Sequence, residues 1–271
     1  MASAVAAERG VAAELNASGV FVARGACEAT ICAACLAELR ESLERMLALP
    51  GRAYDNRHYV RFVLPPGTAA AKEPEHQRDF APPLSPAVEA VLRAVLGGGV
   101  GAILAEALGE DAELHEVTAI TSEPGAAAQG LHSDGSWGST APRLITVFLA
   151  LHDILEEAMG PTRFCPGTHA PHCFPPDNTW LPPPDAYSRP DPRAAAKLAE
   201  APPVWFALSA GDAVLMDSTA WHCGGANASE RRRHILSVSF VAAPALSGRE
   251  TKNGGGGPLG RKLRLSDFVG R

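Results

Sequence analysis

The sequence lacks several features that mark particular classes of protein. Its formal net charge is −6, which argues against a nucleic-acid-binding protein because such proteins normally present a basic face. No apolar run approaches the ~20 residues that a membrane-spanning helix needs. At the N-terminus, Glu8 and Arg9 come before an apolar signal-peptide core could form. We therefore expect an intracellular, cytoplasmic protein.

Cysteine is also scarce. The chain has six cysteines among 271 residues, too few for a scaffold held together by disulfides. Cys32 and Cys35 form a C-x-x-C pair, but no second pair follows, and three-residue spacing in a predicted helix places both on one helix face. We interpret them as residues of a helix face in a reduced protein rather than as zinc ligands.

The composition is that of a globular protein. Hydrophobic residues make up 46% of the chain and charged residues 20%, enough apolar side chains to fill a sizeable core. We predict a single domain over 1–271, with a mostly helical part over 1–110, a β-rich core over 112–242 and a terminal extension over 248–271.

The predicted elements change in type along the chain. Helical apolar spacing predicts helices over 28–48, 85–96 and 99–108, the second opening with Ser85 as cap and Pro86 in the first turn. Short β-like runs separated by Gly and Pro turns then recur. The predicted strands are His58–Leu64, Leu114–Thr121, Arg143–His152, Thr162–Cys165, Val204–Leu208, Ala213–Met216 and Arg233–Ala242. This order favours a mainly β (α+β) jelly roll that carries helices on one side, interrupted by a proline-rich segment over 170–203 that is typical of an active-site cover or an insert.

Three residues have the chemistry of a metal site. His132 and Asp134 are two residues apart, so a strand would direct both side chains to the same face. His222 follows Trp221 and precedes a Gly-Gly turn and the last predicted strand. Two histidines and one carboxylate on one triangular face leave open positions on the metal, as in iron(II) oxygenases.

Arg233 lies eleven residues beyond His222 (233 − 222 = 11) and opens the last apolar strand. A guanidinium inside a β-barrel is costly unless it meets an anion, and a carboxylate does this best through two parallel hydrogen bonds. Strand alternation would send Arg232 to the opposite face. A metal with open positions and an arginine beyond it predict a site for 2-oxoglutarate.

A series of motifs in the core resembles the phytanoyl-CoA dioxygenase family of iron(II)/2-oxoglutarate-dependent oxygenases. In that family Q-x-x-H-x-D is followed by N-G-P-x-R-x-x-P-G-S-H, then G-D, then W-H-x-x-x-x-N-x-S-x-x-x-R. This chain has Gln129-Gly-Leu-His132-Ser-Asp134, Met159-Gly-Pro-Thr-Arg-Phe-Cys-Pro-Gly-Thr-His169, Gly211-Asp212, and Trp221-His222 with Asn227, Ser229 and Arg233 at the family's spacing. Met159 for Asn and Thr168 for Ser are the departures.

The resemblance implies a double-stranded β-helix, iron held by His132, Asp134 and His222, and 2-oxoglutarate anchored by Arg233. Because Asp134 is retained where halogenating members have a small residue, it implies hydroxylation or a related oxidation of a C–H bond, with release of succinate and carbon dioxide. A small metabolite is the expected substrate; a CoA ester, which would want basic residues near the mouth, is unsupported. The alternatives are a non-catalytic cupin-like sensor that keeps the metal, and a metal-dependent hydrolase or isomerase; both leave Arg233 without a purpose.

Further residues are candidates for contacts inside the site. Gln129 and Thr146 are candidate contacts of 2-oxoglutarate. Candidate substrate contacts are Trp137, His58, Tyr59 and Arg61, with Tyr54 and Arg57 in the same cluster. We interpret His169 as a structural residue of its turn rather than a ligand.

Overall fold

The computed structural model describes residues 12–49, 56–62, 84–134, 143–169, 192–243 and 263–268. Its helices are α1 (Ala29–Leu47), α2 (Pro86–Leu96), α3 (Gly99–Leu108) and α4 (Pro192–Glu200), and residues 12–18 are also helical. α2 begins where the sequence predicts, because the Ser85 hydroxyl accepts a hydrogen bond from the backbone N–H of Val88 (3.2 Å) and so satisfies a free donor of the first turn.

The strands form two antiparallel sheets. They are β1 (Val20–Ala23), β2 (Arg57–Arg61), β3 (Glu113–Ser122), β4 (Leu144–Ala150), β5 (Thr162–Phe164), β6 (Ala213–Asp217), β7 (His222–Gly224) and β8 (Arg233–Val241). Six of them make a major sheet in the order β1-β6-β4-β8-β3-β2. β5 and β7 pair separately, and single bridges extend this minor sheet from His132 to β7 and from Val204 to β5. The double-stranded β-helix implied by the motifs is confirmed.

The two faces of the major sheet have different partners. Alternation along β8 and β4 sends Leu236, Val238, Val147 and Leu149 to the core that the helices cover. α1 packs against α2 and β2, and α3 against β8. The alternate residues of β4 and β8 face the minor sheet. The space between the two sheets is the candidate site.

Several details differ from the sequence-based expectations. The segment predicted as a strand at Val204–Leu208 makes only isolated bridges at its two ends, because it pairs with different partners there. β1 and β7 were not predicted as strands, and α4 lies within the predicted proline-rich segment. In the predicted terminal extension, Leu263, Leu265 and Phe268 are buried against the main core.

No single described helix is long and apolar enough to cross a membrane. α2 and α3 would pass such a test only as a pair, and they are bent by 71° relative to each other.

Candidate active site

His132, Asp134 and His222 come together at one end of the minor sheet. Each offers one ligand atom, and these atoms lie within 4.8 Å of one another. An oxygen of Asp134 is 3.9 Å from His132 Nε2 and the other is 3.5 Å from His222 Nε2. The backbones of His132 and His222 exchange two hydrogen bonds (2.9 and 2.8 Å), so residues 90 positions apart in sequence (222 − 132 = 90) are fixed side by side.

Both imidazoles are oriented by their own backbone. The Nδ1 atom of His132 lies 2.9 Å from the carbonyl oxygen of Gly130, and that of His222 lies 3.0 Å from the carbonyl oxygen of Ala220. A hydrogen bond to a carbonyl requires Nδ1 to carry the proton, which leaves Nε2 as the free donor atom. Burial lowers the pKa of His222, against the opposing effect of the Asp134 carboxylate, and this favours the neutral form that binds metals.

This donor set fits iron(II). Two imidazole nitrogens and a carboxylate on one face are the arrangement of non-haem iron(II) oxygenases, in which the remaining positions stay open for ligands. The side chain of His222 is 6% exposed, whereas those of His132 and Asp134 are 37% and 46% exposed. The centre is therefore anchored in the fold on one side and accessible on the other.

The triad faces a cavity of about 390 Å³ between the two sheets. One part of its wall is formed by Arg57, Thr162 and Arg233; together with Ser122, which contacts Arg233, we call it the anion end. A second part, which we call the hydroxyl wall, is formed by Thr118, Thr146, Ser237 and Ser239.

Arg233 is a buried cation at the anion end. It is 1% exposed, and its guanidinium donates to Ser122 Oγ (2.8 Å) and Thr162 Oγ1 (3.4 Å), while its Nε has no hydrogen-bond partner. Burial, and then the charge of Arg57, lower the pKa of Arg233 to about 9. No carboxylate of the described residues pairs with it, whereas the neighbouring Arg232 pairs with Glu44 (2.5 Å) and Glu123 (2.8 Å). A buried guanidinium with only neutral partners is suited to an incoming carboxylate.

Arg57 is a second cation in the same place. The strand register aligns Arg57 with Ser122 and Ser122 with Arg233, so the three residues form one row across β2, β3 and β8. Arg57 is 8% exposed, and its Nη2 donates to the carbonyl oxygens of Ala127 (2.9 Å) and Gly225 (3.0 Å). Within the described part of the chain it has no carboxylate partner either.

The structure places some of the other candidates in the cavity. Gln129, Tyr59 and Arg61 line it. Gln129 donates to the hydroxyl of Tyr59 (2.9 Å) and accepts from the backbone N–H of Gly224 (2.8 Å), so it braces β2 against β7. Arg61 forms an ion pair with Glu116 (3.2 Å).

The positions of two further candidates, His58 and Thr146, do not favour the contacts predicted for them. Because side chains alternate along β2, the ring of His58 points to the face opposite Arg57 and Tyr59 and lies 3.4 Å from Glu123. This position does not support a substrate contact, which stays a prediction. Thr146 lines the cavity, but its hydroxyl contacts Ser239 (2.9 Å) and Ser218 (3.3 Å), and Ser239 is six residues along β8 from Arg233 (239 − 233 = 6). Its predicted contact with 2-oxoglutarate is therefore not supported by its position.

Trp137 and Tyr54 lie outside the described residues. His169 is 2.9 Å, through Nε2, from the carbonyl oxygen of Asn16, a position consistent with a structural role.

The sequence analysis does not identify Ser122 and Thr162 as site residues, and it gives Arg57 only as part of a cluster of candidate substrate contacts. Phe164 lies beside His222 in the register. Because side chains alternate along a strand, Thr162 is expected on the same face of β5 as Phe164, towards the major sheet. Nothing in the sequence indicates that Ser122 lies between two arginines, because this depends on the pairing of β2, β3 and β8.

A double-stranded β-helix that carries this triad and a buried arginine defines the class of iron(II)- and 2-oxoglutarate-dependent oxygenases. The chain belongs to the phytanoyl-CoA dioxygenase (PhyH) family, whose model matches residues 15–235. Members of this family are iron- and 2-oxoglutarate-dependent oxygenases, and the triad and Arg233 are the residues of this chain that would hold the two groups.

Comparison with individual proteins gives more distant likenesses. The chain is 32% identical over 152 residues to Dioxygenase cnsJ of Penicillium expansum, a match that covers 52% of this chain and 39% of that protein; it thus spans about two fifths of this relative. It is similar to the epimerase SnoN in complex with Fe3+, alpha ketoglutarate and nogalamycin RO (21% identity, TM-score 0.61, 96% of both chains). It is also similar to the carbocyclase SnoK from nogalamycin biosynthesis (18% identity, TM-score 0.60, 87% of this chain and 84% of that one). At such identities these structures show a shared fold.

Proposed function

We propose that this protein oxidises an unactivated C–H bond of a small metabolite, by hydroxylation or a related oxidation, while 2-oxoglutarate is converted to succinate and carbon dioxide. Iron(II) would be held by His132, Asp134 and His222, and the distal carboxylate of 2-oxoglutarate by Arg233. Iron with a 2-oxo acid and dioxygen supplies the oxidising power for such a bond.

The observation that carries the proposal is Arg233, a 1% exposed guanidinium without a carboxylate partner among the described residues, in the same cavity as the triad. Burying an unpaired charge destabilises a fold, and a diacid co-substrate would relieve this while its other end reaches the metal. A metal-binding sensor or a hydrolase needs no such group.

Each protein residue has a positioning role in this proposal. The carbonyl oxygens of Gly130 and Ala220 hold the two imidazoles with Nε2 directed at the metal. Asp134 supplies the charged ligand, and its backbone N–H is held by the carbonyl oxygen of Ser218 (2.9 Å). Ser122 and Thr162 orient the guanidinium of Arg233 from two sides, so that the carboxylate site is preformed.

The proposal is tested by anaerobic titration of iron(II)-loaded protein with 2-oxoglutarate, following the visible charge-transfer band of the chelate. The wild-type protein should develop the band. Arg233→Ala should raise the 2-oxoglutarate concentration for half-maximal absorbance by about 30-fold or more, since truncating one partner of a buried charge pair costs about 2–5 kcal/mol.

The matched control is Arg232→Ala, which removes the arginine immediately before β8, where it pairs with Glu44 and Glu123. It should titrate as the wild type does. If no band forms although iron is demonstrably bound, the oxygenase proposal is wrong and a metal-binding or sensing role is favoured.

A further inference from the structure

The hydroxyl wall consists of polar side chains at positions where aliphatic side chains would also fit the fold. Its four residues, Thr118, Thr146, Ser237 and Ser239, lie on the inner face of β3, β4 and β8. The alternate residues of the same strands are aliphatic and pack in the main core, among them Val117, Val147 and Val238. Thr118, Thr146 and Ser239 are hydrogen-bonded within the protein, but aliphatic side chains could fill the same positions without needing such partners. The polar lining therefore favours a polar occupant.

Part of this wall has unused hydrogen-bonding capacity. Ser237 Oγ, which lines the cavity, has no hydrogen-bond partner among the described residues. Glu116 also lines the cavity, but in the register it lies opposite Ser239, whereas Ser237 lies opposite Thr118. One carboxylate oxygen of Glu116, Oε1, contacts both Thr118 Oγ1 and the guanidinium of Arg61. Neither of these two contacts uses its other oxygen, Oε2. A hydroxyl that can donate or accept and a carboxylate oxygen that accepts therefore face the same cavity.

The charge of this region is balanced. Arg61 and Glu116 form an ion pair at 3.2 Å, so neither an anionic nor a cationic group of a substrate gains an uncompensated partner there. At the anion end, in contrast, Arg57 and Arg233 have no carboxylate partner in the described parts of the chain. The two regions thus fit different ligands: a carboxylate at one and a neutral polar group at the other.

We propose that the substrate is a neutral molecule with several hydroxyl groups, such as a sugar ring or a cyclic polyol, which docks on the hydroxyl wall and on Glu116. This inference rests on the proposed function and names its substrate class. Substrate hydroxyls donate to Glu116 Oε2 and exchange hydrogen bonds with Ser237 Oγ. A long acyl chain would leave these polar groups desolvated without partners, and sites built to bind hydroxyl groups reject analogues that lack them. The cavity of about 390 Å³ also has to hold the co-substrate, which favours a compact substrate group.

The experiment adds a panel of probes to the anaerobic iron(II)/2-oxoglutarate complex. Methyl hexopyranosides and myo-inositol are the neutral polyols, cyclohexylmethanol is the ring of similar size without the hydroxyl set, and glucuronate is the anionic counterpart. One readout is the shift of the charge-transfer band when a probe binds, and the other is the rate of succinate formation in air. We expect at least one neutral polyol to shift the band and to accelerate succinate formation, and cyclohexylmethanol and glucuronate to do neither.

Two variants test the wall itself. Ser237→Ala should raise the half-saturating concentration of the responding polyol about threefold to tenfold, as expected for one lost neutral hydrogen bond. Glu116→Gln should raise it further, because a charged acceptor binds hydroxyl groups more strongly. Glu41→Gln makes the same chemical change on the exposed side of α1 and is the control.

The outcomes separate the two proposals. If the iron(II)/2-oxoglutarate band never forms, the proposed function fails first. If the band forms but cyclohexylmethanol or glucuronate responds in place of the polyols, or no probe responds, the substrate class is wrong and the proposed function stands. A polyol response that is unchanged in Ser237→Ala and Glu116→Gln also overturns the assignment of this wall.

Discussion

The anion end and the hydroxyl wall belong to the same cavity, and both are polar, but their polar groups are satisfied in different ways. At the anion end, two nearly buried guanidiniums share a row with Ser122 and find no carboxylate among the described residues. At the hydroxyl wall, Thr146 bonds to Ser239, Thr118 bonds to Glu116, and Arg61 is paired with Glu116.

The difference shows which part of the site is incomplete without a ligand. Two like charges close together in a buried row destabilise each other and the fold. A bound anion would compensate them, so the anion end is suited to bind one. The hydroxyl wall is largely self-satisfied, and it can therefore discriminate among neutral groups without a large electrostatic cost. The first region predicts tight binding of the co-substrate, and the second predicts selectivity for the substrate.

The largest effect is expected when the anion end is given an internal carboxylate. Ser122→Asp places it between Arg57 and Arg233 in the strand register, where it should occupy the position of the co-substrate. We expect the 2-oxoglutarate concentration for half-maximal absorbance to rise by about 30-fold or more, while the thermal unfolding temperature stays the same or rises.

The comparison variant Ser122→Ala removes only the hydrogen bond to Arg233 and should weaken 2-oxoglutarate binding about threefold to tenfold. Both variants are measured by anaerobic titration and by thermal unfolding without 2-oxoglutarate. Unchanged 2-oxoglutarate affinity in Ser122→Asp would show that the two arginines do not form a carboxylate site.

A smaller effect is expected from the second arginine. Arg57→Met removes one of the two charges and keeps an apolar stem, so 2-oxoglutarate binding should weaken about tenfold, corresponding to about 1.4 kcal/mol. The unfolding temperature should change little, because removing the charge beside Arg233 is offset by the loss of the hydrogen bonds from Arg57 to the carbonyl oxygens of Ala127 and Gly225. Arg61→Met is the same substitution beside the hydroxyl wall, where Glu116 balances the charge, and there the unfolding temperature should fall instead.

Gly224, two residues beyond His222, tests the role of Arg57 in a second way. A Cβ on Gly224 would lie 2.1 Å from Arg57 Nη1 and 2.7 Å from Gln129 Oε1, so Gly224→Ala must displace the guanidinium. We expect about threefold weaker 2-oxoglutarate binding in the wild-type background, a loss of the order of one neutral hydrogen bond, and no further loss in Arg57→Met. Equal losses in both backgrounds, measured as a double-mutant cycle, would show that the glycine acts independently of Arg57.

Much of this architecture is predictable from local sequence signals. Apolar residues at helical spacing and the Ser85 cap predict α1, α2 and α3 to within one or two residues, because these signals act within a few residues of chain. His132, Asp134, His222 and Arg233 could be named because their spacing along the chain is itself the motif.

The remainder depends on pairing between distant segments. Arg57 lies beside Arg233 only because β2 pairs with β3 and β3 with β8, across 176 residues (233 − 57 = 176). β1 has four residues and pairs with β6 almost two hundred positions later, which no local pattern reports. The sequence also does not predict which side chains of β2 face the cavity, because a cluster of polar residues does not indicate whether His58 or Tyr59 points inward.

The smallest effect concerns Thr146, for which the sequence and the structure favour different roles. Thr146→Val keeps the shape of the side chain and removes its hydrogen bonds to Ser239 and Ser218, so the free energy of unfolding should fall by about 0.5–1.5 kcal/mol. The 2-oxoglutarate titration should remain close to that of the wild type, because the hydroxyl contacts residues far along β8 from Arg233. Ser239→Ala removes the partner of the same bond and should lower the stability by a similar amount. If Thr146→Val instead weakened 2-oxoglutarate binding tenfold while Ser239→Ala did not, Thr146 would contact the co-substrate as the sequence predicts, and the division of the cavity into two regions would be wrong.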